Sequence, residues 1–349
     1  MNPIGRIRWR TSDIQVAVPC RAFTQIEALV SLAIVGLLLA LALNSLATAR
    51  ETSRRAQCQN NLKQLAIASH TFHDSFGYLP PQNATSIAGA GEERRKPPGV
   101  ISAWGQLLPY LGRGDVYSAL DLHEFGELNH REPPGSSKNS HLLFMKLDGL
   151  ICPSETSGLG RNNYRVSLGT APFPPYRKRG GAYSSIFWGN RATFAMITDG
   201  LSQTTLISER LVGDFNAQRF DPRRDIGFIK DYPLWIGGAS SEDGFREMCN
   251  TPAALDSSRH GSYLGATWLL NGYAWIWYNH VDGPNSRIPD CDFTYVPALT
   301  GKISASSLHP RGVNVAMADA SVRFVHDDIE LGVWRALGTR AGSEVVAPF

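Results

Sequence analysis

"AFTQIEALVSLAIVGLLLALALNSLATA", residues 22–49, decides how the rest of the chain is organised. From Ala28 to Ala49 it holds 22 residues without a charge. At 1.5 Å per residue that run spans a hydrocarbon core of about 30 Å. Glu27 stands immediately before it, and a carboxylate within a bilayer costs about 2.5 to 3.5 kcal/mol even on the lenient insertion scale. The stretch reads as a membrane segment carrying one charge that needs a reason. A secretory signal has a shorter apolar core with its cleavage site behind it. Here the fitting cut lies in front of the apolar run, between Ala22 and Phe23.

Charge along the chain is uneven. The net charge of +3 is contributed wholly by residues 1–22, which carry Arg6, Arg8, Arg10 and Arg21 against Asp13. The remaining 30 basic and 30 acidic side chains cancel. A neutral body offers no electrostatic footprint for nucleic acid. Orientation in a membrane is close to a tie by basic residues, since Arg50, Arg54, Arg55 and Lys63 follow the span.

Beyond the span the helical pattern continues. No proline occurs between Phe23 and Leu79, and Leu62, Leu65, Ala66, Ser69, Phe72, His73 and Phe76 recur at helical spacing. Gly77 supplies a C-cap, with Pro80 and Pro81 close behind. One helix over about 23–76 is expected, roughly 80 Å long. Its first half is apolar all round, and its second carries an apolar stripe for packing. His70 and His73 beside Asp74 have metal-compatible spacing, but no HExxH or third ligand accompanies them, so solvated or core-edge histidines are expected.

After the helix come short apolar runs broken by Gly, Pro, Asn and Ser. Residues 103–122 read as two short helices or turns around Pro109. Residues 191–213 read as strand, Asp-Gly turn and strand, with "TTLISE" alternating as a half-buried strand does. Residues 266–279 read as a strand pair, and "GVNVAMADASVRFV" (312–325) as a hairpin around Asp319 and Ala320. Pro/Gly-rich loops are expected at 82–100, 129–140 and 171–182. The fold class expected is α+β: a long N-terminal helix, transmembrane then amphipathic, packed on a mostly antiparallel β-sheet head.

"AFTQIEALV" resembles the class III signal of type IV pilins and type II secretion pseudopilins, usually Gly-Phe-Thr-Leu-Ile-Glu before an apolar helix. The resemblance implies a prepilin peptidase that cuts between Ala22 and Phe23 on the cytoplasmic face and methylates the new amine. It also implies that the body lies outside the inner membrane, in the periplasm or at the cell surface. Glu27, the fifth mature residue, would pair with the amine of a neighbouring subunit, exchanging two costly charges for a hydrogen-bonded ion pair. Ala22 stands where that family prefers Gly, and Gln25 where it has an apolar residue; either would slow cleavage. Asn44 replaces a kinking proline, so a straighter helix is expected.

Further segments resemble one bacterial family of pilin-like proteins of unknown function, which pair a prepilin-type segment with a C-terminal His-x9-Asp-Gly segment. The matches are "CQNNLKQLAIASHTFHDSFGYLP", "WGQLLPYLG", "ICPSE", "NNYRVSLG", "ITDGLSQTTLISER" and "LHPRGVNVAMADASVRFV". Residues 214–300 match least. The chain is expected to divide into a leader (1–22), a transmembrane and assembly helix (23–49), an amphipathic continuation (50–79) and an extracytoplasmic head (80–349) that contains the variable region 214–300 and a C-terminal hairpin (309–325). His309 and Asp319 stand at the family spacing, with Ala320 in place of Gly. That substitution argues against a two-residue type I′ turn and for a type I or longer one. The pair is read as a loop-to-hairpin hydrogen bond rather than a catalytic couple. Cys58 and Cys152 occupy family positions, and a bridge between them would tie head to helix. Cys249 and Cys291 flank the variable region and could close it. Of the five cysteines, Cys20 leaves with the leader and the other four allow three connectivities, so this pairing is a preference, with buried free thiols the alternative.

The leading expectation is a pilin-like structural subunit, not an enzyme, with no metal or cofactor. Its partners would be the peptidase, other pilin-like subunits and the membrane. A signal-anchored hydrolase would draw on His309, Asp319, His326, Asp327 and Asp328, but the chain lacks a G-x-S-x-G elbow, an HExxH and a P-loop. A binding head would use the aromatic run 273–278, whose residue types are more often core. A calcium site within 282–292 fits no standard loop, and a solvated turn is expected there instead.

Overall fold

The computed structural model describes residues 24–82, 101–121, 139–170, 185–187, 192–229, 242–251, 260–292 and 301–344. The proposed leader, residues 1–22, and Phe23 lie outside these, as do nearly all of the stretches 82–100, 129–140 and 171–182. The chain divides into two units, Met1–Arg50 and Glu51–Phe349.

Helix α1 runs from Gln25 to Phe76. In the first unit its described apolar side chains are exposed, Ile26, Leu29, Leu32, Leu37 and Leu43 among them. Among the described residues it is the one helix long and apolar enough to cross a membrane. Its start is a capping box. Thr24 N and Oγ1 each donate to Glu27 Oε2 at 2.9 Å, and Glu27 N donates back to Thr24 Oγ1 at 3.3 Å. In the second unit α1 changes character. Cys58, Leu62, Leu65, Ala66, Ser69 and Phe72 are buried, while Phe76 is exposed and ends the stripe. Gly77 closes the helix at φ 78°, its N–H bonded to His73 O at 2.7 Å. A left-handed glycine is the usual way to end a helix.

The head is α+β. Short helices α2 (Ala103–Leu107), α3 (Gly114–Ser118) and α4 (Ser140–Leu143) precede the sheets, with a 3₁₀ turn at Leu108–Leu111 carrying Pro109. The strands are β1 (Tyr164–Ser167), β2 (Thr205–Glu209), β3 (Ile226–Phe228), β4 (His260–Gly261), β5 (Trp277–Tyr278), β6 (Asp290–Asp292), β7 (Gly312–Met317) and β8 (Val322–His326). A five-stranded sheet has the order β5-β1-β2-β7-β8, and a three-stranded sheet the order β4-β3-β6. The β1–β5 and β3–β6 pairings are parallel and the other four antiparallel. Helices α5 (Glu242–Cys249) and α6 (Leu331–Ala336) complete the α-helices among the described residues. The smaller sheet and α5 fall within 214–300.

Three local expectations are corrected. Residues 194–196 form a 3₁₀ turn instead of a strand. "TTLISE" is a central strand, paired with β1 and β7 on its two edges, and is buried along its whole length, so both of its faces are covered. In 266–279 only Trp277–Tyr278 is a strand, and the rest turns through a series of bonds onto Gly272 O.

The β7–β8 hairpin turns as a type I bend with a following left-handed residue, a common three-residue hairpin loop. Ala320 N donates to Met317 O, Met317 N donates to Ser321 O, and Ala320 sits at φ 63°. α1 is docked on this tip. Lys63 Nζ donates to Ala320 O and His70 Nε2 bonds Ala318 O, both at 2.8 Å, with His70 stacked on Phe194. His70 is thereby a core-edge histidine. A left-handed alanine costs about 1 to 2 kcal/mol. The greater freedom of an unfolded glycine takes back roughly half of that. Ala320→Gly is expected to raise stability by about 0.5 to 1 kcal/mol, read as a higher urea midpoint at unchanged slope.

Candidate functional site

Glu51, Cys58 and Gln59 are seven and eight residues apart on α1. That spacing puts them on one helix face. Opposite it three pieces of the head converge: the "ICPSE" loop with Cys152 and Ser154, the end of β2 with Glu209, and the loop before β7 with His309. Cys58 and Cys152 form a disulfide with Cα atoms 5.2 Å apart, and Cys249 pairs with Cys291.

His309 is the centre of this junction and is buried. Its Nδ1 lies 2.6 Å from Glu51 Oε1, and its Nε2 lies 3.3 Å from Glu209 Oε1 and 3.5 Å from Cys152 Sγ. The loop that presents it is held by its own bonds: Ser307 Oγ accepts from His309 N and donates to Gly312 O. The β2–β7 register, with Ser208 opposite Val315, brings Glu209 beside Asn314. Asn314 N and Nδ2 then donate to the two oxygens of Glu209 at 2.7 and 3.0 Å. Gln59 Nε2 donates to Asn314 Oδ1, and Ser154 Oγ to Glu51. Burial works against a charged His309, but the hydrogen bonds and charges of Glu209 and Glu51 outweigh it and raise its pKa above the ordinary histidine value. The arrangement sets the His309 ring between two carboxylates, one from α1 and one from the sheet, which favour its protonated form.

Asp319 is elsewhere. It lies at the exposed hairpin tip, where its Oδ1 accepts from Ser321 N at 2.8 Å and Ser321 Oγ at 2.6 Å. The expected His309–Asp319 loop-to-hairpin bond does not form. The ten-residue step carries His309 to α1 and Asp319 along β7 into the turn. His326 is exposed, Asp327 accepts from Asn285 Nδ2, and Asp328 lies 3.9 Å from Arg311 at the surface. None of these three joins His309.

The aromatic run is core. Tyr273, Trp275, Trp277 and Tyr278 are all buried, and Trp277 Nε1 donates to Gln82 Oε1. The acids of 282–292 are neither a calcium loop nor a solvated turn. Asp282, Asp290 and Asp292 are buried. Lys302 Nζ lies 3.4 Å from Asp282 and 3.2 Å from Asp290, Arg210 meets Asp290 at 2.9 Å, and Arg246 meets Asp282 at 2.8 Å. The cations that occupy Asp282 and Asp290 are the protein's own. Asp282 is opposed by burial, yet Lys302, Ser286 and Arg246 keep its pKa below the usual range.

Glu51, Glu209 and Asn314 are not singled out by the sequence. Their signal is faint: "ISER" stands out as a motif, but nothing in it says that its Glu meets a histidine 100 positions on. Glu27, by contrast, sits in a Thr-x-x-Glu pattern that announces the capping box observed.

Comparison with curated proteins and with solved structures finds no match to the chain. Residues 47–332 match the sequence model of the family described as protein of unknown function (DUF1559), and the chain belongs to that family.

Proposed function

We propose that this chain is a pilin-like structural subunit of a type II secretion or type IV pilus-like system. A prepilin peptidase cuts between Ala22 and Phe23, residues 23–49 anchor the subunit in the inner membrane and drive assembly with other pilin-like subunits, and the head lies on the extracytoplasmic side. The observation that carries the reading is the exposed apolar half of α1 with a single acid, Glu27, at its start. Two disulfides in the head suit an oxidising compartment. The head is read as structural instead of enzymatic because both ring nitrogens of His309 are already engaged by carboxylates.

A signal-anchored protein is the second reading, and the Thr24–Glu27 capping box favours it, since the carboxylate then has a local role that needs no neighbour. Mass measurement and N-terminal sequencing of membrane protein, with and without prepilin peptidase, separate the two. Processing predicts a chain beginning at N-methylated Phe23 only when the peptidase is present. Retention of residues 1–22 in both cases would leave the signal anchor.

Glu27 gives a second test. Glutamine caps a helix much as glutamate does but carries no charge. If pairing with a neighbour's amine matters, Glu27→Gln and Glu27→Ala both lose cross-linked multimers while still inserting. If capping is all, Glu27→Gln cross-links like the native chain and the assembly role fails.

A further inference from the structure

We propose that the reduced chain carries a four-ligand site for a thiophilic divalent cation of the zinc type, built from Cys58, Cys152, Glu209 and His309. One ligand atom from each of these residues lies within 4.8 Å of all the others, and all four residues are buried. Two thiolates, an imidazole and a carboxylate match zinc in both donor type and number.

The surroundings are those of a metal centre as well. Nε2 of His309 points at Cys152 Sγ and Glu209, while Nδ1 faces Glu51 at 2.6 Å. A carboxylate on the far nitrogen favours the tautomer with the proton on Nδ1, so that the Nε2 lone pair is directed at the Cys152 and Glu209 side of the cluster, where a metal would sit. Asn314 orients Glu209 in the same way, through two hydrogen bonds. A small cleft whose lining includes Cys152, Ser154, Glu155, Glu209, Arg210 and Ser307 lies beside the cluster.

In the oxidised chain the two sulfurs are bonded to each other, so disulfide and metal exclude one another. Reduction by a dithiol passes two electrons to the Cys58–Cys152 bond; the dithiol closes to its own disulfide and two thiols remain. When the cation enters, both thiol protons and any proton on Nε2 leave to solvent. Two sulfurs on a tetrahedral zinc, each about 2.3 Å from the metal, stand about 3.8 Å apart. The freed thiolates reach that separation by side-chain rotation, with the backbone of α1 and of the "ICPSE" loop in place. All four positions are filled by protein, so the site is structural. It would hold α1 on the head before the disulfide closes. Cys249 and Cys291 belong to no such group among the described residues and serve as an internal control.

The test uses the full chain in detergent, reduced with a water-soluble phosphine and then freed of it without oxygen. Titration with Co²⁺ is expected to give the visible bands of a tetrahedral centre and sulfur-to-cobalt charge transfer, saturating at one equivalent. Zn²⁺ should bleach these bands and shield Cys58 and Cys152, but not Cys249 or Cys291, from alkylation. His309→Ala and Glu209→Gln should each weaken binding at least tenfold, and Glu51→Gln by about ten- to hundredfold. The proposal is overturned if the native sequence gives no such bands, or if the bands survive both His309→Ala and Glu209→Gln. Where a variant does not fold, the alkylation map of the native sequence decides, and equal shielding of all four cysteines counts against the site. If reduction alone unfolds the chain, Co²⁺ must restore both bands and helix signal; failure to do so refutes the site equally.

Discussion

Replacing Cys58 and Cys152 together by alanine is expected to lower the stability of the head by about 4 to 5 kcal/mol. The bridge joins residues 94 positions apart. For a loop of that size the chain-entropy relation gives about 4.7 kcal/mol. Alanine is the substitution of choice because Cys58 is fully buried and a serine hydroxyl there would need a hydrogen-bond partner. With net stabilities of about 5 to 15 kcal/mol usual for a domain, a loss of this size leaves the variant marginal at about 37 °C. The bridge fastens α1 to the "ICPSE" loop, so cleavage within α1 by a protease under native conditions should rise in parallel with the fall in urea midpoint. Cys249 and Cys291 close a shorter loop, with a sequence separation of 42. Their joint replacement by alanine is expected to cost about 4 kcal/mol. That pair sits in a small satellite cluster with Phe245 and Val281, so its loss should expose α5 and leave α1 protected. A Cys58/Cys152 double variant within about 1 kcal/mol of the native protein, far below the chain-entropy value, would mean that the His309 clamp and the helix stripe fasten α1 without help.

What could be read from the chain, and what could not, follows the range of the interactions. The long helix was legible because its signals are local: an uncharged run, an apolar stripe at Leu62, Leu65, Ala66, Ser69 and Phe72, and Gly77 with Pro80 and Pro81 at the end. The β7–β8 hairpin was legible for the same reason, down to the turn, where Ala320 pointed away from a type I′ bend. "TTLISE" misled because alternation of polar and apolar residues signals a half-buried strand, whereas here Thr205 and Ser208 are buried as fully as Leu206 and Ile207. The run 266–279 misled because its aromatic content suits strands, yet Gly272 turns the chain and leaves only Trp277 and Tyr278 to pair. The His309 junction draws on positions 51, 152, 209, 309 and 314, whose proximity is created by the sheet order and by α1 lying against it. No window of the sequence contains it. Asp319, which the His-x9-Asp spacing placed beside His309, shows the cost of reading spacing without register.

Asp290→Asn is the second large effect, expected to cost about 3 to 5 kcal/mol, the range for removing one partner of a buried ion pair. The carboxylate is buried and sits between two cations that are themselves buried, Arg210 on one side and Lys302 on the other. Its Oδ1 also accepts from Ser304 N at 3.0 Å. Asparagine fills the same volume, so packing is nearly unchanged and the loss is electrostatic. Two positive charges then face one another out of water, with Asp282 alone left to balance Lys302. A purely apolar replacement of the pair, Arg210→Met with Asp290→Leu, is expected to recover part of the loss despite the larger change in chemistry, because it removes a charge from each side. Urea unfolding of the three proteins checks this, and the order of midpoints is decisive: native highest, the paired replacement next, Asp290→Asn lowest. Added Ca²⁺ should move none of them, since Asp282 and Asp290 already have Lys302, Arg210 and Arg246 as counter-ions. A midpoint for Asp290→Asn close to that of the native protein would show that water reaches the cluster and screens it, and the charge-balancing role of Lys302 and Arg210 would then fail.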